Sequence, residues 1–573
     1  MQPFNEMESQ PLSDTDTCQR PVDYAEEIES TTAQQNTGAI VPSKVIQVFE
    51  RADSPDQKHE DDVPELQYTI SQDEDADCPT LVINDRQLND VGDEAIEILQ
   101  ESNVPPTTFV RAGTLCRIIN DERKGPVIQT VTTNILSAML AKACDTVHVT
   151  EKGLKNVFPP KGITTYILTE GMRSFPIIEG IVKSPTIRPD GTVSQVPGYD
   201  SVTGLFYHKE EDSKTIEVPE NPTREQVQTA LALIEELLHD FPFDCQASRA
   251  NMIAMLLSPI MQPAIDDIMP LFLLDAPTAG SGKTLLARVI WRINSETVPE
   301  FTDTPTQETE WSKQITASLS EGSPLVILDN LSDILKSKHL TMLLTAGVWK
   351  NRPFGKNTEM KSLPNRTTWL ATGNNIQIGG DMPRRCVWIR IDPEMAKPHE
   401  RDGFLHPNLE EWVKDNRERL LVALLTLCRF WYADGCPTYP TPTFGSFEKW
   451  CSIVGSIMAH AGVSGFLENR DGLWEQSDSE SGEWETFLAA WQRIYGAVPI
   501  TAKELLEDIT HGNDISNAIP ESVSEAISGN GDKCSKIGFL FKARLEKRYG
   551  ARNLRLEKMP RNSKGQPWTV LSD

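Results

Sequence analysis

The sequence contains no C-x-x-C pair, and its ten cysteines are not set at metal-ligand spacing to histidine. This excludes a zinc ribbon or finger, and single thiols scattered over 573 residues fit a reducing compartment such as the cytoplasm. No apolar run approaches the roughly 20 residues a membrane helix needs, so no membrane partner is expected. The opening MQPFNEMESQ lacks the basic-then-apolar layout of a secretory signal. Internal repeats are absent as well. Basic residues are scarce at the start: residues 1–100 hold five Lys/Arg against 24 Asp/Glu, which is −19 of the chain's net −28. Aromatics are few there too. Such a segment cannot bury enough apolar surface to offset chain entropy. Residues 1–103 are therefore expected to be mostly disordered, with KVIQVFE and AIEILQ as candidate docking motifs. The rest of the chain is only mildly acidic, so a local basic face is not excluded.

The length implies several domains. From about Thr107 the pattern changes. TTFVRAGTLCRII and GPVIQTV have strand composition, and TTNILSAMLAKAC reads as a helix capped by Thr132 or Thr133. The stretch that follows is dense in turn signals: Pro-Asp-Gly, Pro-Gly and Thr-Gly. Residues 104–220 are read as a small α+β accessory domain without a catalytic set, His148 and His208 being isolated. A capping box, Thr223 with Gln226, opens a helix through Leu238, and a second apolar helix runs from about Gln246 to Met261. These begin a domain spanning 221–395. In 396–498, Leu409, Trp412, Val413 and Leu420 recur at helical spacing, which argues core packing in a helical extension. A second box, Thr501 with Glu504, opens the last domain, 499–573.

Within 221–395, the apolar strand Leu271–Leu274 leads into PTAGSGKT and an apolar-periodic helix start, LLARVI. A phosphate-cradling loop reads G-x-x-x-x-G-K-[ST]. Here Pro277 replaces the first glycine, and Thr278, Ala279, Gly280, Ser281, Gly282, Lys283 and Thr284 complete the loop. The replacement costs little. The first position mainly makes the turn, while the phosphate-binding N–H groups come from Gly280 to Thr284. Pro277 to Thr284 are thus candidate ATP contacts, with Lys283 on the β- and γ-phosphates and Thr284 on Mg2+. Leu325–Leu328 is a second apolar strand, and it ends in Asp329, 45 residues after Thr284. That is the place of a carboxylate that holds Mg2+. A third strand, in RTTWLATGNN, is tipped by Thr372, Asn374 and Asn375, and Asn374 can orient an attacking water. Arg384 and Arg385 precede a further strand, and an arginine there can reach a neighbouring subunit's γ-phosphate. A lone Gly-Lys-Thr is common by chance; this ordered set is not. One position departs from the pattern. Many such ATPases place a glutamate base after the aspartate, and this chain has Asn330, which cannot take a proton. Either another carboxylate serves, with Asp333, Glu308 and Glu310 near in sequence, or hydrolysis is slow.

Together PTAGSGKT, VILDN, NRTTWLATGNNIQIGGDMPRRCVWIRID and ERDGFLHPNLEEWVKDNRERLL resemble a family of AAA+-like ATPases encoded by phages and integrated mobile elements. That family is similar to the helicase halves of phage primase–helicases and to superfamily-three helicases. GSFEKW and SPTIRPDGTVSQVPGYDSVTGLFY resemble it too, so the likeness covers roughly residues 170–470. The resemblance implies an α/β P-loop NTPase core of the AAA+/ASCE kind that uses ATP and Mg2+. It also implies a homo-oligomeric ring, a hexamer, acting as a DNA motor or replication ATPase. Asp-Asn is usual at this position in the family, Asn374 corresponds to the sensor, and Arg384 or Arg385 to the finger. The implied catalytic set is Lys283, Asp329, Asn330, Asn374, Arg384 and Arg385. A replication partner could bind through the acidic N-terminus. No primase catalytic set is visible.

Two basic places suit DNA. In WKNRPFGKNTEMKSLPNR, Lys350, Arg352, Lys356 and Lys361 interleave with Trp349 and Phe354 around a hairpin turn, and related ring helicases point a hairpin here into the central pore. A solvated surface hairpin is the alternative. From Lys533 to Lys564 there are eleven Lys/Arg and two acids. KCSKIGFLFKARLEKRYG reads as a helix with Ile537, Leu540, Phe541 and Leu545 on one face, followed by two strands around Asn-Ser-Lys-Gly. Two preceding helices complete a winged-helix-like layout, with Lys542, Lys547 and Arg548 as candidate phosphate contacts. The leading expectation is an ATP-dependent DNA helicase or replication ATPase. The alternatives are an ATPase that remodels a protein partner in defence or transposition, and a non-hydrolysing nucleotide switch.

Overall fold

The computed structural model describes residues 78–573 except 123, 211–212, 332–333, 353–359, 473–478, 551 and 573, together with the antiparallel strand pair Lys44–Gln47 and Thr69–Gln72. Most of the segment expected to be disordered lies outside the described residues. Its end is a correction, because Leu88–Glu101 is a helix. Val91, Ala95, Ile98 and Leu99 recur at helical spacing and are buried, against Leu136, Leu140, Ile163 and Ile167 of the helices Thr133–Ala143 and Lys161–Glu170. One apolar stripe anchors this helix, and an average taken over 103 mostly polar residues conceals it. Thr132 caps the second helix, accepting from the Ile135 amide at 3.3 Å.

Strands Thr108–Arg111, Thr114–Asp121 and Gly125–Thr130 form an antiparallel meander. Gly180–Val182 and Gly198–Asp200 flank Leu205–Tyr207 in a second small sheet. Its turn-rich approach is tied together by Asp200, which accepts from Arg188 Nε at 2.8 Å, Ser194 Oγ at 2.8 Å and the Val202 amide at 3.1 Å. Arg111 fastens this part to the helix Glu308–Glu321. Its buried guanidinium donates to Leu319 O at 2.7 Å and Ser320 O at 2.8 Å, carbonyls of the last turn of that helix, where Leu319 O also accepts from the Gly322 amide at 3.3 Å.

The central sheet has five parallel strands: β1 (Leu271–Ala276), β2 (Thr302–Asp303), β3 (Leu325–Leu331), β4 (Thr368–Asn374) and β5 (Cys386–Arg390). Their spatial order is β2-β3-β4-β1-β5. Every residue of β1 is buried, as a continuous apolar run in a parallel sheet covered on both faces requires. The helix Gln246–Ile265 packs against β4 and β5, and Lys283–Asn294 against β1, β3 and β4. Arg224–Leu238 begins at the expected capping box and packs on the long helix Leu409–Ala433. In that long helix Val413, Leu420 and Leu424 are buried, while Trp412 is half-buried and stacks on His406 with ring centroids 4.2 Å apart. Its buried Arg417 donates to Arg292 O, Glu296 Oε1 and Lys183 O at 2.8–3.0 Å, joining three parts of the chain.

At the C-terminus, the helices Ala502–Thr510, Glu521–Ser528 and Lys533–Ala543 pack on an antiparallel sheet in the order Ile500–Thr501, Pro567–Leu571, Arg555–Lys558. Trp484, Phe487 and Trp491 of Ser479–Tyr495 complete this core around Phe541 and Trp568, with several rings edge to face. The core around these C-terminal elements therefore takes in side chains that precede residue 499. The basic helix also ends earlier than its composition suggests. Arg544 caps it, Glu546 takes a φ of +65°, and Leu545, expected on its apolar face, bridges to Leu556 instead. Lys547 and Arg548 lie in the turn beyond. No described helix is long and apolar enough to cross a membrane.

Candidate functional site

The site lies at the carboxyl ends of β1, β3 and β4, the edge where open α/β sheets place ligands. β1 ends at Ala276, and the loop 277–282 turns into the helix Lys283–Asn294. Gly282 has a φ of +101°, a conformation that strains any residue with a Cβ, so glycine stands immediately before Lys283. The Ser281 hydroxyl donates to Thr278 O, and Asn375 Nδ2 donates to Pro277 O at 3.0 Å, bracing the loop at both ends. Ala279, Gly280 and Thr284 are exposed. The helix N-terminus, with amides unpartnered within the helix, makes the concavity suited to an anion.

Lys283 is buried, and its Nζ donates to Asn374 Oδ1 at 2.7 Å and to Thr278 O at 3.2 Å. Burial holds its pKa below the ordinary lysine value, opposed by Asp275 and Asp329 nearby. Asp329 accepts from the Thr372 hydroxyl at 2.5 Å, and the Asn330 amide donates to the same Thr372 oxygen at 3.1 Å. Lys283, Asp329, Thr372 and Asn374 are thus one cluster. Asn330 itself has a φ of +58° in a bulge of β3 between Leu328 and Leu331. Asparagine tolerates that left-handed region far better than glutamate does, so the backbone gives a reason for the residue. Gly373 lets β4 pass this bulge: a Cβ there would stand 2.7 Å from Ile376 and 3.0 Å from Leu331.

Two residues that the motifs did not single out hold the cluster from within. Asp275 is fully buried in β1; Oδ1 accepts from the Ile376 amide at 2.9 Å and Oδ2 pairs with Arg390 Nη1 at 2.5 Å. A carboxylate inside a buried strand demands such partners. The available signal was a single acid in LFLLDA and a single base in VWIRID.

Arg384 and Arg385 share one carboxylate, Asp381, whose pKa they depress. They differ in access. The Arg385 side chain is 6% exposed and meets Asp381 through Nη2 at 2.6 Å, while its Nε and Nη1 have no hydrogen-bond partner. The Arg384 side chain is 47% exposed. Only Arg384 is free to reach outward. The alternative carboxylates are engaged elsewhere. Glu308 accepts from Ser337 Oγ at 3.2 Å and the Lys338 amide at 3.1 Å, and Glu310 pairs with Lys313 at 2.7 Å. Asp333 lies outside the described residues.

The expected hairpin is present as Val348–Asn351 paired with Lys361–Pro364, with Lys350 and Arg352 exposed. Trp349 is corrected. It is buried, and its Nε1 donates to Thr316 Oγ1 at 2.9 Å, so it anchors the hairpin to Glu308–Glu321 and cannot stack on a base. The tip, with Phe354 and Lys356, lies outside the described residues. In the C-terminal domain Lys542 is exposed on the basic helix beside Phe539, which is 73% exposed. Lys547 donates to Ser481 Oγ at 3.0 Å and sits over the Tyr549 ring, and Arg548 is exposed in the same turn.

Among the described residues no group of three or more His, Cys, Asp or Glu is placed to hold a metal. Mg2+ asks for less. One or two protein oxygens suffice when phosphates and water complete its shell, and Asp329 and Thr284 fit that requirement.

No protein-family profile matches the sequence, and no curated protein matches it. Among solved structures, the apo A form of the NrS-1 C-terminal region is similar over 83% of this chain and 99% of its own, at 12% identity and a TM-score of 0.40. A second apo structure of that region covers 83% and 98%, at 14% identity and a TM-score of 0.35. The JCV helicase bound to a thiazolopyridine acetamide covers 52% and 68%, at 12% identity and a TM-score of 0.21. Superpositions this loose carry no weight for function.

Proposed function

We propose that this chain is an ATP-driven DNA motor, a helicase or replication ATPase of the kind that phages and integrated mobile elements encode, acting as a homo-oligomeric ring. The observation that carries the reading is the convergence of Lys283, Asp329, Thr372 and Asn374 at one edge of a parallel sheet ordered β2-β3-β4-β1-β5. Amides of residues 280–284 cradle the phosphates. Lys283 exchanges Asn374 and Thr278 for the β- and γ-phosphate oxygens, and Asn374 is released to orient the water. Mg2+, held by Asp329 and Thr284, would supply charge neutralisation at the phosphates. Arg384 leaves Asp381 for the γ-phosphate of the neighbouring subunit. Arg352 and Lys356 on the hairpin meet single-stranded DNA in the pore. The C-terminal domain works as a winged helix, with Lys542, Lys547 and Arg548 against the DNA backbone.

The test is ATP turnover with and without single-stranded DNA, read beside the oligomeric state. Turnover that rises with DNA in an assembled species supports the proposal. Stimulation by a protein partner alone replaces it with a remodelling ATPase, and tight ATP binding without turnover replaces it with a nucleotide switch.

A further inference from the structure

Asn330 leaves the proposed site without a base next to Asp329, but the strand beside β3 carries a carboxylate. β2 runs parallel to β3 with Thr302 opposite Leu328 and Asp303 opposite Asp329. Residues opposite one another in such a ladder lie roughly 4.8 Å apart and share a face. Asp303 therefore projects from the same face as Asp329. That face is the one the nucleotide cluster uses. Thr372 reaches Asp329 across the next strand gap. Asn374, two residues further along β4, shares Thr372's face and holds Lys283. The corner at Asp303 is pinned in place. Thr304 Oγ1 donates to Asp329 O at 3.3 Å, and Gln314 Nε2 donates to Asp303 O at 2.7 Å. Asp303 itself is exposed at the carboxyl end of its strand, and its Oδ1 accepts from the Thr304 amide at 2.9 Å, which orients the carboxylate without burying it. Three other described acids are held by side chains or a helix start: Asp275 by Arg390, Glu308 by Ser337 and the Lys338 amide, and Asp381 by the two arginines.

We infer that Asp303 is the general base of ATP hydrolysis in this chain, serving from β2 where Asn330 cannot; the inference rests on the nucleotide-site reading above. The water oxygen bonds to the γ-phosphorus as the bond from that phosphorus to the β–γ bridging oxygen breaks. The electron pair of the broken bond stays on ADP. Asp303 accepts the proton of the attacking water and afterwards releases it to solvent, leaving ADP and inorganic phosphate.

The experiment measures steady-state ATP turnover by the assembled full chain over a range of ATP and Mg2+ concentrations. Asp303→Asn should lower kcat roughly a hundred- to ten-thousand-fold, the usual contribution of a positioned base. KM for ATP and the Mg2+ requirement should stay within about threefold. Asp303→Glu should recover part of the rate. An Asp303→Asn protein whose kcat stays within about threefold of wild type overturns the inference. So does a loss that appears only as a raised Mg2+ requirement, which would make Asp303 a metal contact. A wild-type chain that binds ATP and never turns it over overturns the ATPase reading and this inference together, and failure of the variant alone overturns only this inference.

Discussion

The two adjacent arginines should separate cleanly when each is replaced by methionine, which keeps the side-chain length and removes the charge. The Arg384 side chain is 47% exposed, and its ion pair is with Asp381, itself 44% exposed. A surface pair of this kind is worth about 0–1 kcal/mol, so Arg384 can leave it at little cost, and Arg384→Met should melt within a few degrees of wild type. If Arg384 acts on a neighbour's γ-phosphate, its loss should lower turnover by roughly three to five decades, about 4–7 kcal/mol at 1.36 kcal/mol per decade. Arg385 has the opposite profile. It is 6% exposed, burial lowers its pKa, and two of its nitrogens have no partner. Replacing a desolvated, incompletely paired charge with an apolar side chain of similar size is often neutral or stabilising. Asp381 would keep Arg384 as its counter-ion. Arg385→Met should therefore keep or raise the melting temperature and hold turnover within about tenfold of wild type. The assay is steady-state ATP turnover of the assembled protein, with thermal melts and light scattering on the same samples. Loss of three decades in Arg385→Met, with Arg384→Met close to wild type, would refute the reasoning and make the buried arginine the finger.

Lys283→Ala should abolish turnover while leaving the fold intact, because the cation that meets the β- and γ-phosphates is gone; normal turnover would overturn the loop reading. Mixing it with Arg384→Met should restore some turnover, since mixed interfaces would pair an intact loop with an intact finger, and assembled mixtures that stay inactive would count against action in trans. Neutralising Lys542, Lys547 and Arg548 should weaken DNA binding whatever the sequence and flatten its salt dependence by roughly one log–log unit per lost phosphate contact. Lys542→Gln alone should flatten it more than Lys547→Gln, because Lys547 is already held by Ser481 and Tyr549. Arg352→Gln should spare binding and lower DNA-stimulated turnover. Deleting 1–77, which stops short of the packed helix Leu88–Glu101, should tighten DNA binding most at low salt, where screening is weak. The Glu504 carboxyl is held down to about 2 from an ordinary 4.5, first by the Thr501 amide and then by Lys564. Because the folded value is the lower one, its contribution to stability is complete above the ordinary value and is lost as pH falls from 4.5 toward about 2. Amide protection over 502–510 should drop in that window, and Glu504→Gln should flatten the drop.

What was legible in the sequence and what was not divide along a physical line. The loop around Lys283, the strand ending at Asp329, the Asn374 tip and both capping boxes were readable because each is a local arrangement. The turn chemistry or the strand-then-acid order is complete within about ten residues. The helix Leu88–Glu101 was missed for the converse reason: its stripe of Val91, Ala95, Ile98 and Leu99 is local, but it was averaged with a long acidic segment. Trp349 was misread because a basic and aromatic run does not say which rings face Thr316 and which face solvent.

The partnerships that decide the chemistry were beyond sequence reading because register creates them. Asp275 meets Arg390 across 115 residues, and Thr372 meets Asp329 across 43. Asp303 lies opposite Asp329 only because β2 was placed at the outer edge next to β3, in phase with it. A slip of one residue would turn Asp303 to the other face of the sheet and bring Thr302 or Thr304 to its place. The same phase explains why asparagine can stand at 330. In its left-handed bulge that residue donates its amide to Thr372 and so holds the hydroxyl beside Asp329. The left-handed backbone at 330, not its amide, is what disfavours glutamate there, and the inferred base is then a carboxylate on the neighbouring strand, whose placement requires that the two strands stay in register.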